Sequence, residues 1–155
     1  MLPQLNFPAY QFKTDFLSDH PRIWDNGRKK WLKLTPEEWV RQHWIAFLTT
    51  EKGYSASLIG AERSFKLNGL VKRFDILVGH PPLILVECKA PGIKINQDTL
   101  NQAIRYNMVL KVPYLVISNG LDHYVFKVDP ENGSVEAIQE LPGIIWYNGE
   151  LKMDN

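Results

Sequence analysis

The sequence predicts one mixed α/β domain, and three observations carry that prediction. Two segments with helical apolar spacing and capping residues at their starts are separated by runs rich in strand-forming residues. Their order is helix, three strands, helix, strand, with a trailing β-hairpin behind an irregular N-terminal arm. The length of 155 residues fits a single core, with no internal repeat and no low-complexity segment. The expected boundaries are an arm over residues 1–35, packed on the domain, and a single domain over residues 36–155.

Pro3, Pro8 and Pro21 punctuate the arm, and Asp25-Asn26-Gly27 reads as a turn. Phe7, Tyr10, Phe12, Phe16, Trp24 and Trp31 are too many large apolar groups for a disordered tail, so the arm is expected to bury them. Arg28-Lys29-Lys30-Trp31-Leu32-Lys33 is the densest basic run, and a solvated face is the favoured reading over a phosphate contact. The first helix starts after Thr35, which can cap. Pro36 suits the first helical position, and Glu37 and Glu38 suit the positive dipole end, Glu38 at capping-box spacing. Val40, Trp44, Phe47 and Leu48 form its apolar stripe, and Gly53 ends it.

Ser57 to Leu67 reads as one strand, interrupted or bulged near Gly60, and Asn68-Gly69 as a tight turn. Arg73 to Gly79 is the second strand, His80-Pro81-Pro82 turns the chain, and Leu83 to Lys89 is the third. A second helix runs from Asn96 or Asp98 to Lys111, with Leu100, Ile104 and Met108 on its stripe and Ala103 and Leu110 beside it. Tyr114 to Ser118 is the fourth strand. Asn119-Gly120 turns into His123–Val128, and a short strand lies near Val135–Ile138.

Composition excludes several classes. Eighteen Lys+Arg against seventeen Asp+Glu give a net charge of +1, which argues against a nucleic-acid binder working by bulk positive charge. A single cysteine, Cys88, excludes a disulfide framework and a Cys-based zinc site and suits the cytoplasm. No apolar run reaches the roughly 20 residues of a membrane span, and the first residues do not read as a signal peptide. His20, His43, His80 and His123 lack metal-ligand spacing and read as structural. No G-x-x-x-x-G-K-[S/T] occurs, so no nucleotide cofactor or P-loop motor is expected.

The chemistry concentrates at the end of the third strand. Leu83-Ile84-Leu85-Val86 is core material, yet Glu87-Cys88-Lys89 continues it. Side chains alternate, so Glu87 and Lys89 share a face, and Cys88 points into the core with Ile84 and Val86. On the second strand Phe74, Ile76 and Val78 make one face, Asp75 and Leu77 the other. A three-residue loop at His80–Pro82 pairs Gly79 with Leu83 and sets Asp75 opposite Glu87 and Arg73 opposite Lys89. Directly opposed residues sit about 5 Å apart, where two carboxylates call for a cation or a shared proton. Oxygen ligands beside a lysine favour a hard ion such as Mg²⁺ over zinc.

Asp75-x11-Glu87-x-Lys89 within this element order resembles the PD-(D/E)xK nuclease core, a restriction-endonuclease-like fold. More closely, the chain resembles the nuclease domain at the N-terminus of type I restriction-enzyme R subunits, in its small stand-alone bacterial version. The matching segments are Leu34–Gln42, Lys72–Ile76, Leu85–Pro91, Gln102-x3-Tyr106-Asn107 and Ser118-Asn119-Gly120, within about residues 5–145. Phe74 stands where the superfamily pattern has Pro before the aspartate.

The resemblance implies an Mg²⁺-dependent deoxyribonuclease, with Mn²⁺ as a substitute. Asp75, Glu87 and the Cys88 carbonyl would hold the metal and Lys89 would assist catalysis. It assigns the family's helix glutamate to Glu38, whereas the helical wheel places Glu37 nearer the apolar stripe. Glu62 is a further acid, and Gln102 and Tyr106 would position nucleic acid or the catalytic groups. The expected partners are DNA and a homodimer or a separate motor protein. The competing reading is a catalytically silent nucleic-acid- or protein-binding module on the same fold; a third is a structural partner domain.

Overall fold

The computed structural model describes residues 2–67, 69–147 and 150–154. The arm is more regular than expected. It builds a three-stranded antiparallel sheet from β1 (Thr14–Asp15), β2 (Arg22–Asp25) and β3 (Lys30–Lys33), in that order. These strands are only two to four residues long, too short for alternation to stand out among the prolines and turns. Alternation is nevertheless what orients β2: Ile23 and Asp25 are buried, and Arg22 and Trp24 lie on the other face. Of the arm aromatics, Phe7, Tyr10, Phe12, Trp24 and Trp31 are partly buried. Phe16 is 62% exposed, because it falls between β1 and the bend over 17–20 rather than on a strand.

Helix α1 (Pro36–Thr50) starts as its sequence dictates: the Glu38 N–H donates to the Thr35 hydroxyl at 3.0 Å. The reciprocal half of the capping box is absent, because Arg41 and Gln42 hold the Glu38 carboxylate. Val40, Trp44 and Leu48 are buried, with Phe47 partly so.

After a 3₁₀ turn at Ala56–Leu58 come β4 (Ile59–Leu67), β5 (Leu70–Val78) and β6 (Ile84–Cys88). Then follow α2 (Gln97–Leu110), β7 (Tyr114–Ser118), β8 (His123–Val128) and β9 (Val135–Ile138). The six strands form one sheet in the order β4-β5-β6-β7-β8-β9. Every neighbouring pair is antiparallel except β6 and β7, which α2 connects in parallel. A separate hairpin, β10 (Gly143–Tyr147) and β11 (Glu150–Asp154), was not anticipated. It joins the end of α1 through the Ile144 N–H, which donates to the Lys52 carbonyl at 2.8 Å.

The sheet lies between the helices. On one face Val40, Trp44 and Leu48 of α1 pack with Ile76, Val78, Ile84 and Val86. On the other, Leu100 of α2 packs with Phe74, Leu77, Leu85 and Ile117. Met108, expected on the α2 stripe, is 53% exposed; Asn107 is buried instead, its amide bonding both N–H and carbonyl of Val112 just past the helix. The first strand starts at Ile59 rather than Ser57, and its irregularity is at Glu62, not Gly60: Glu62 has φ 52°. Asn68 of the expected tight turn lies outside the described residues.

The predicted register of the central hairpin holds, since Val78, Leu77 and Ile76 pair with Ile84, Leu85 and Val86. The loop differs in length. Leu83 donates its N–H to the Val78 carbonyl at 2.7 Å, so the ladder closes at Val78 and Ile84 and the turn has five residues rather than three. Gly79, at φ 97°, donates instead to the Leu58 carbonyl on the β4 side.

Candidate active site

The β5–β6 ladder stops at Ile76 and Val86, one step short of Asp75 and Glu87. Beyond it the Asp75 carboxylate takes over a strand carbonyl's role: Oδ2 accepts the Cys88 N–H at 2.8 Å. Its other oxygen accepts from the Arg41 guanidinium at 2.7 Å. Phe74, expected to share a face with Ile76 and Val78, packs instead with Leu77 and Leu85 on the α2 side. The regular two-residue alternation fails where the ladder ends. On the other flank, Glu62 falls opposite Asp75 in the β4–β5 register, between the pairs Ala61–Ile76 and Arg63–Phe74, and makes no bridge. Its left-handed conformation costs a non-glycine residue about 1–3 kcal/mol and is the kind of outlier that gathers at functional sites.

A buried ion cluster fills the space between α1 and this edge. Arg41, whose side chain is 6% exposed, donates to Glu38 at 2.5 Å, Glu37 at 3.1 Å and Asp75 at 2.7 Å, and lies 3.7 Å from Glu62. Arg28 reaches in from the arm, 2.7 Å from Glu62 and 2.9 Å from Asp25. Gln42 donates to Asp25 at 2.9 Å and Glu38 at 3.0 Å. Neither arginine was among the residues expected at the site. The available signal was Arg41 standing three and four residues after Glu38 and Glu37, one helical turn away.

The electrostatics follow from burial and these partners. Burial works against the Arg41 charge, but Asp75 and Glu38 outweigh it and hold the guanidinium firmly protonated. Burial pushes Glu38 above the usual carboxylate range in spite of Arg41, Gln42 and Arg28. Burial also raises Glu37, and the Asp75 charge adds to it, while Arg41 and Lys89 pull the other way. Glu62 goes down, its partial burial outweighed by Arg28, Arg41 and Arg73. The wheel had set Glu37 nearer the apolar stripe, yet Glu38 is the deeply buried one, because the cluster supplies polar partners off that stripe. Glu37 is instead the more exposed acid and shares the Arg41 Nη2 with Asp75, at 3.1 and 2.7 Å.

On the α2 side of the same edge an open cleft is lined by Phe74, Leu85, Glu87, Lys89, Gln102 and Tyr106. Glu87 and Lys89 reach it together because they are two apart on one strand. The Lys89 N–H donates to the Ser118 carbonyl at 2.7 Å, which fixes the chain just past the end of β6. Gln102 and Tyr106 reach it because they lie one turn apart on α2. Glu38 lies in the Arg41 cluster, not in the cleft.

Cys88, 2% exposed, faces the α1-side core with Ile84 and Val86, and burial together with the Asp75 charge drives its thiol pKa well up, so it is no nucleophile. Two histidines are structural: His43 donates from Nδ1 to the Trp39 carbonyl at 2.8 Å, and His123 binds Ser118 at 2.7 Å and Asn6 at 2.8 Å. Ser118-Asn119-Gly120 is structural as well. Asn119 holds the Ile93 carbonyl at 2.8 Å, and Gly120 takes the left-handed φ of 85°, where a Cβ would sit 2.9 Å from the Leu5 side chain and force it to shift.

The donor set of Asp75, Glu87 and the Cys88 carbonyl, with Glu37 alongside, is all hard oxygen and fits Mg²⁺ by type. Among the described residues, no three acidic, histidine or cysteine side chains are gathered closely enough to hold a metal. The cation that meets Asp75 here is Arg41. No helix among the described residues is long and apolar enough to cross a membrane.

Comparison with known proteins agrees with this architecture. A fragment described as an HsdR subunit of a type I restriction enzyme from Vibrio vulnificus YJ016 is similar, with a TM-score of 0.51 and 21% identity. The likeness covers 71% of this chain and 24% of that one, and at such identity it speaks for the fold alone, a restriction-endonuclease-like α/β fold. No curated protein matches. The family model described as "Type I restriction enzyme R protein N terminus (HSDR_N)" matches residues 36–142, from the first residue of α1 to the segment before β10. With most of its length matched, the chain belongs to the family of type I restriction enzyme R protein N-terminal domains.

Proposed function

We propose that the protein is a metal-dependent deoxyribonuclease that hydrolyses DNA phosphodiester bonds at the edge where β5 and β6 part. The observation that carries this reading is the convergence of Glu87 and Lys89 from β6 with Gln102 and Tyr106 from α2 in one open cleft, with Asp75 anchored on the Cys88 N–H beside it. Asp75, Glu87 and the Cys88 carbonyl would hold Mg²⁺, or Mn²⁺ in its place. The bound metal supplies an activated water and charge stabilisation at the phosphate. Lys89 orients the attacking water or stabilises developing negative charge. Gln102 and Tyr106 position the nucleic acid or the catalytic groups. Glu37, which shares the Arg41 Nη2 with Asp75 and is the more exposed of the two α1 glutamates, is the acid that we assign to assist, ahead of Glu38 and Glu62. Membership of an R-protein family supports a DNA partner and assembly with further subunits, including a separate motor protein or a second copy.

One observation favours the competing reading, a catalytically silent module on the same fold: both Asp75 oxygens are already engaged, by Arg41 and by Cys88. A substrate panel of duplex, single-stranded, branched and RNA substrates with Mg²⁺ or Mn²⁺ separates the two. Cutting by the wild type and none by Lys89→Ala supports the nuclease. Equal activity in both removes the assignment of Lys89, and no cutting on any substrate favours the silent module. Calorimetric Mg²⁺ titration of wild type against Asp75→Ala separates a metal site from a structural charge pair.

A further inference from the structure

We propose that the outward face of the arm sheet, built from Lys13, Arg22, Trp24, Trp31 and Lys33, is a contact surface for the DNA backbone. This rests on the reading of the protein as one that acts on DNA, and it assigns a place for the DNA outside the cleft.

The register makes the face. Arg22 pairs with Lys33 and Trp24 with Trp31, so all four side chains project to one side, while Ile23, fully buried, turns to the other. Two cations directly opposed on neighbouring strands destabilise a sheet, and Asp15, registered opposite Arg22 on the other flank, offsets only one of the two charges. The tryptophans do not spend their faces on the core. Lys13 Nζ stands 5.0 Å from the Trp24 ring and 5.3 Å from that of Trp31, and the Arg22 guanidinium is 4.9 Å from Trp31. The two indoles, edge to face at 5.6 Å, hold cations in place at the surface. Side chains ordered in advance lose less entropy when a ligand arrives.

The charge is segregated as well as ordered. Residues 13–33 carry six Lys and Arg against three Asp, in a chain whose net charge is +1. Asp15 pairs with Arg22 at 2.5 Å. Among the described residues, Lys13, Lys29, Lys30 and Lys33 form no ion pair. Of these, Lys13 and Lys33 lie on the face itself, and cations without counter-ions suit the regular negative charge of a phosphodiester backbone, whose affinity comes from counter-ion release. The face is also tied to the candidate site. The β2–β3 turn carries Arg28, which grips Glu62 and Asp25 within the cluster that holds Asp75.

The test uses the full chain in EDTA with a mixed-sequence duplex of about 20 base pairs, its affinity followed by fluorescence anisotropy across salt concentrations. The double variant Lys13→Gln/Lys33→Gln should bind about tenfold more weakly at roughly 50 mM salt, with a salt slope shallower by about 2. The control Lys111→Gln/Lys127→Gln, at exposed positions away from the arm, should change affinity by less than about twofold. Lys33→Glu touches neither ring contact and tests the face even if replacing Lys13 loosens the arm. Unchanged binding in the Lys13/Lys33 variant and Lys33→Glu, or an equal loss in the control, overturns the proposal. So does retained DNA binding with lost binding of poly-glutamate, which would reassign the face to an acidic protein. Arm variants that bind poorly in a protein that cuts no substrate leave the surface standing and remove the nuclease reading. Arm variants that bind and cut like wild type do the reverse.

Discussion

The two sides of the β6 end differ in kind. Towards α1 lies a closed cluster in which Arg28, Arg41 and Gln42 satisfy the acids of the arm, the helix and two strands. Towards α2 lies an open cleft with Glu87, Lys89, Gln102 and Tyr106 on its walls. Asp75 stands at the junction, with one oxygen on Arg41 and the other on the backbone of the strand that carries the cleft residues. A closed, paired network sets geometry, whereas an open one admits a ligand. The cluster is therefore the scaffold that aims this edge, and the cleft is where chemistry would occur.

Variants that break one side and spare the other test this division. The largest effect on stability is expected for Arg41→Ala, which strands Asp75 and Glu38 without their buried counter-ion. A loss of about 3–5 kcal/mol should appear as a lower urea midpoint, and a loss under about 1 kcal/mol would show that the cluster is not the scaffold. Lys89→Ala should do the opposite, lowering cleavage by about a hundredfold or more with the urea midpoint unchanged. A lowered midpoint would place Lys89 with the structural residues.

Gly120→Ala perturbs neither side directly. It forces a Cβ into a left-handed turn 2.9 Å from Leu5 and 3.0 Å from Val40, and should cost more than about 1 kcal/mol by thermal melting. The smallest effect is a pH dependence. Burial lowers the His43 pKa, so the folded state prefers the neutral ring. Its contribution is complete above the ordinary value of 6.5 and is lost as the pH falls through the lowered one. Asp25 behaves in the same sense at lower pH. Burial is outweighed by the Arg28 and Gln42 hydrogen bonds, so stability present above 3.8 fades as the pH drops below it. His43 lies 4.8 Å from Phe12 of the arm and 4.4 Å from Trp39, itself 5.3 Å from Phe12, so tryptophan fluorescence should report arm loosening first. His43→Gln should flatten the upper part of that profile, and an unchanged profile would assign it to other groups.

The helices and the central register were legible because local chemistry specifies them: Thr35 and Asn96 cap, and a turn centred on Pro81, five residues long rather than three, leaves the expected pairs facing each other. The cleft was legible in parts, as spacing within one strand and within one helix. The ion cluster was not, because Arg41 and Asp75 are 34 positions apart and nothing local links them. The arm strands were too short to show a period, and Arg22 and Lys33 become neighbours only through their pairing. The near-zero net charge concealed that separation of sign, since a sum over the chain carries no position.

The burial of Cys88 has a practical consequence. The chain holds no other thiol, and this one sits behind the edge flanked by Glu87 and Lys89, sealed into the α1-side core. Its rate of alkylation therefore reports how often the end of β6 lifts from the sheet. A ligand that clamps that edge slows the labelling, which gives a clock for occupancy that requires no turnover and no engineered cysteine.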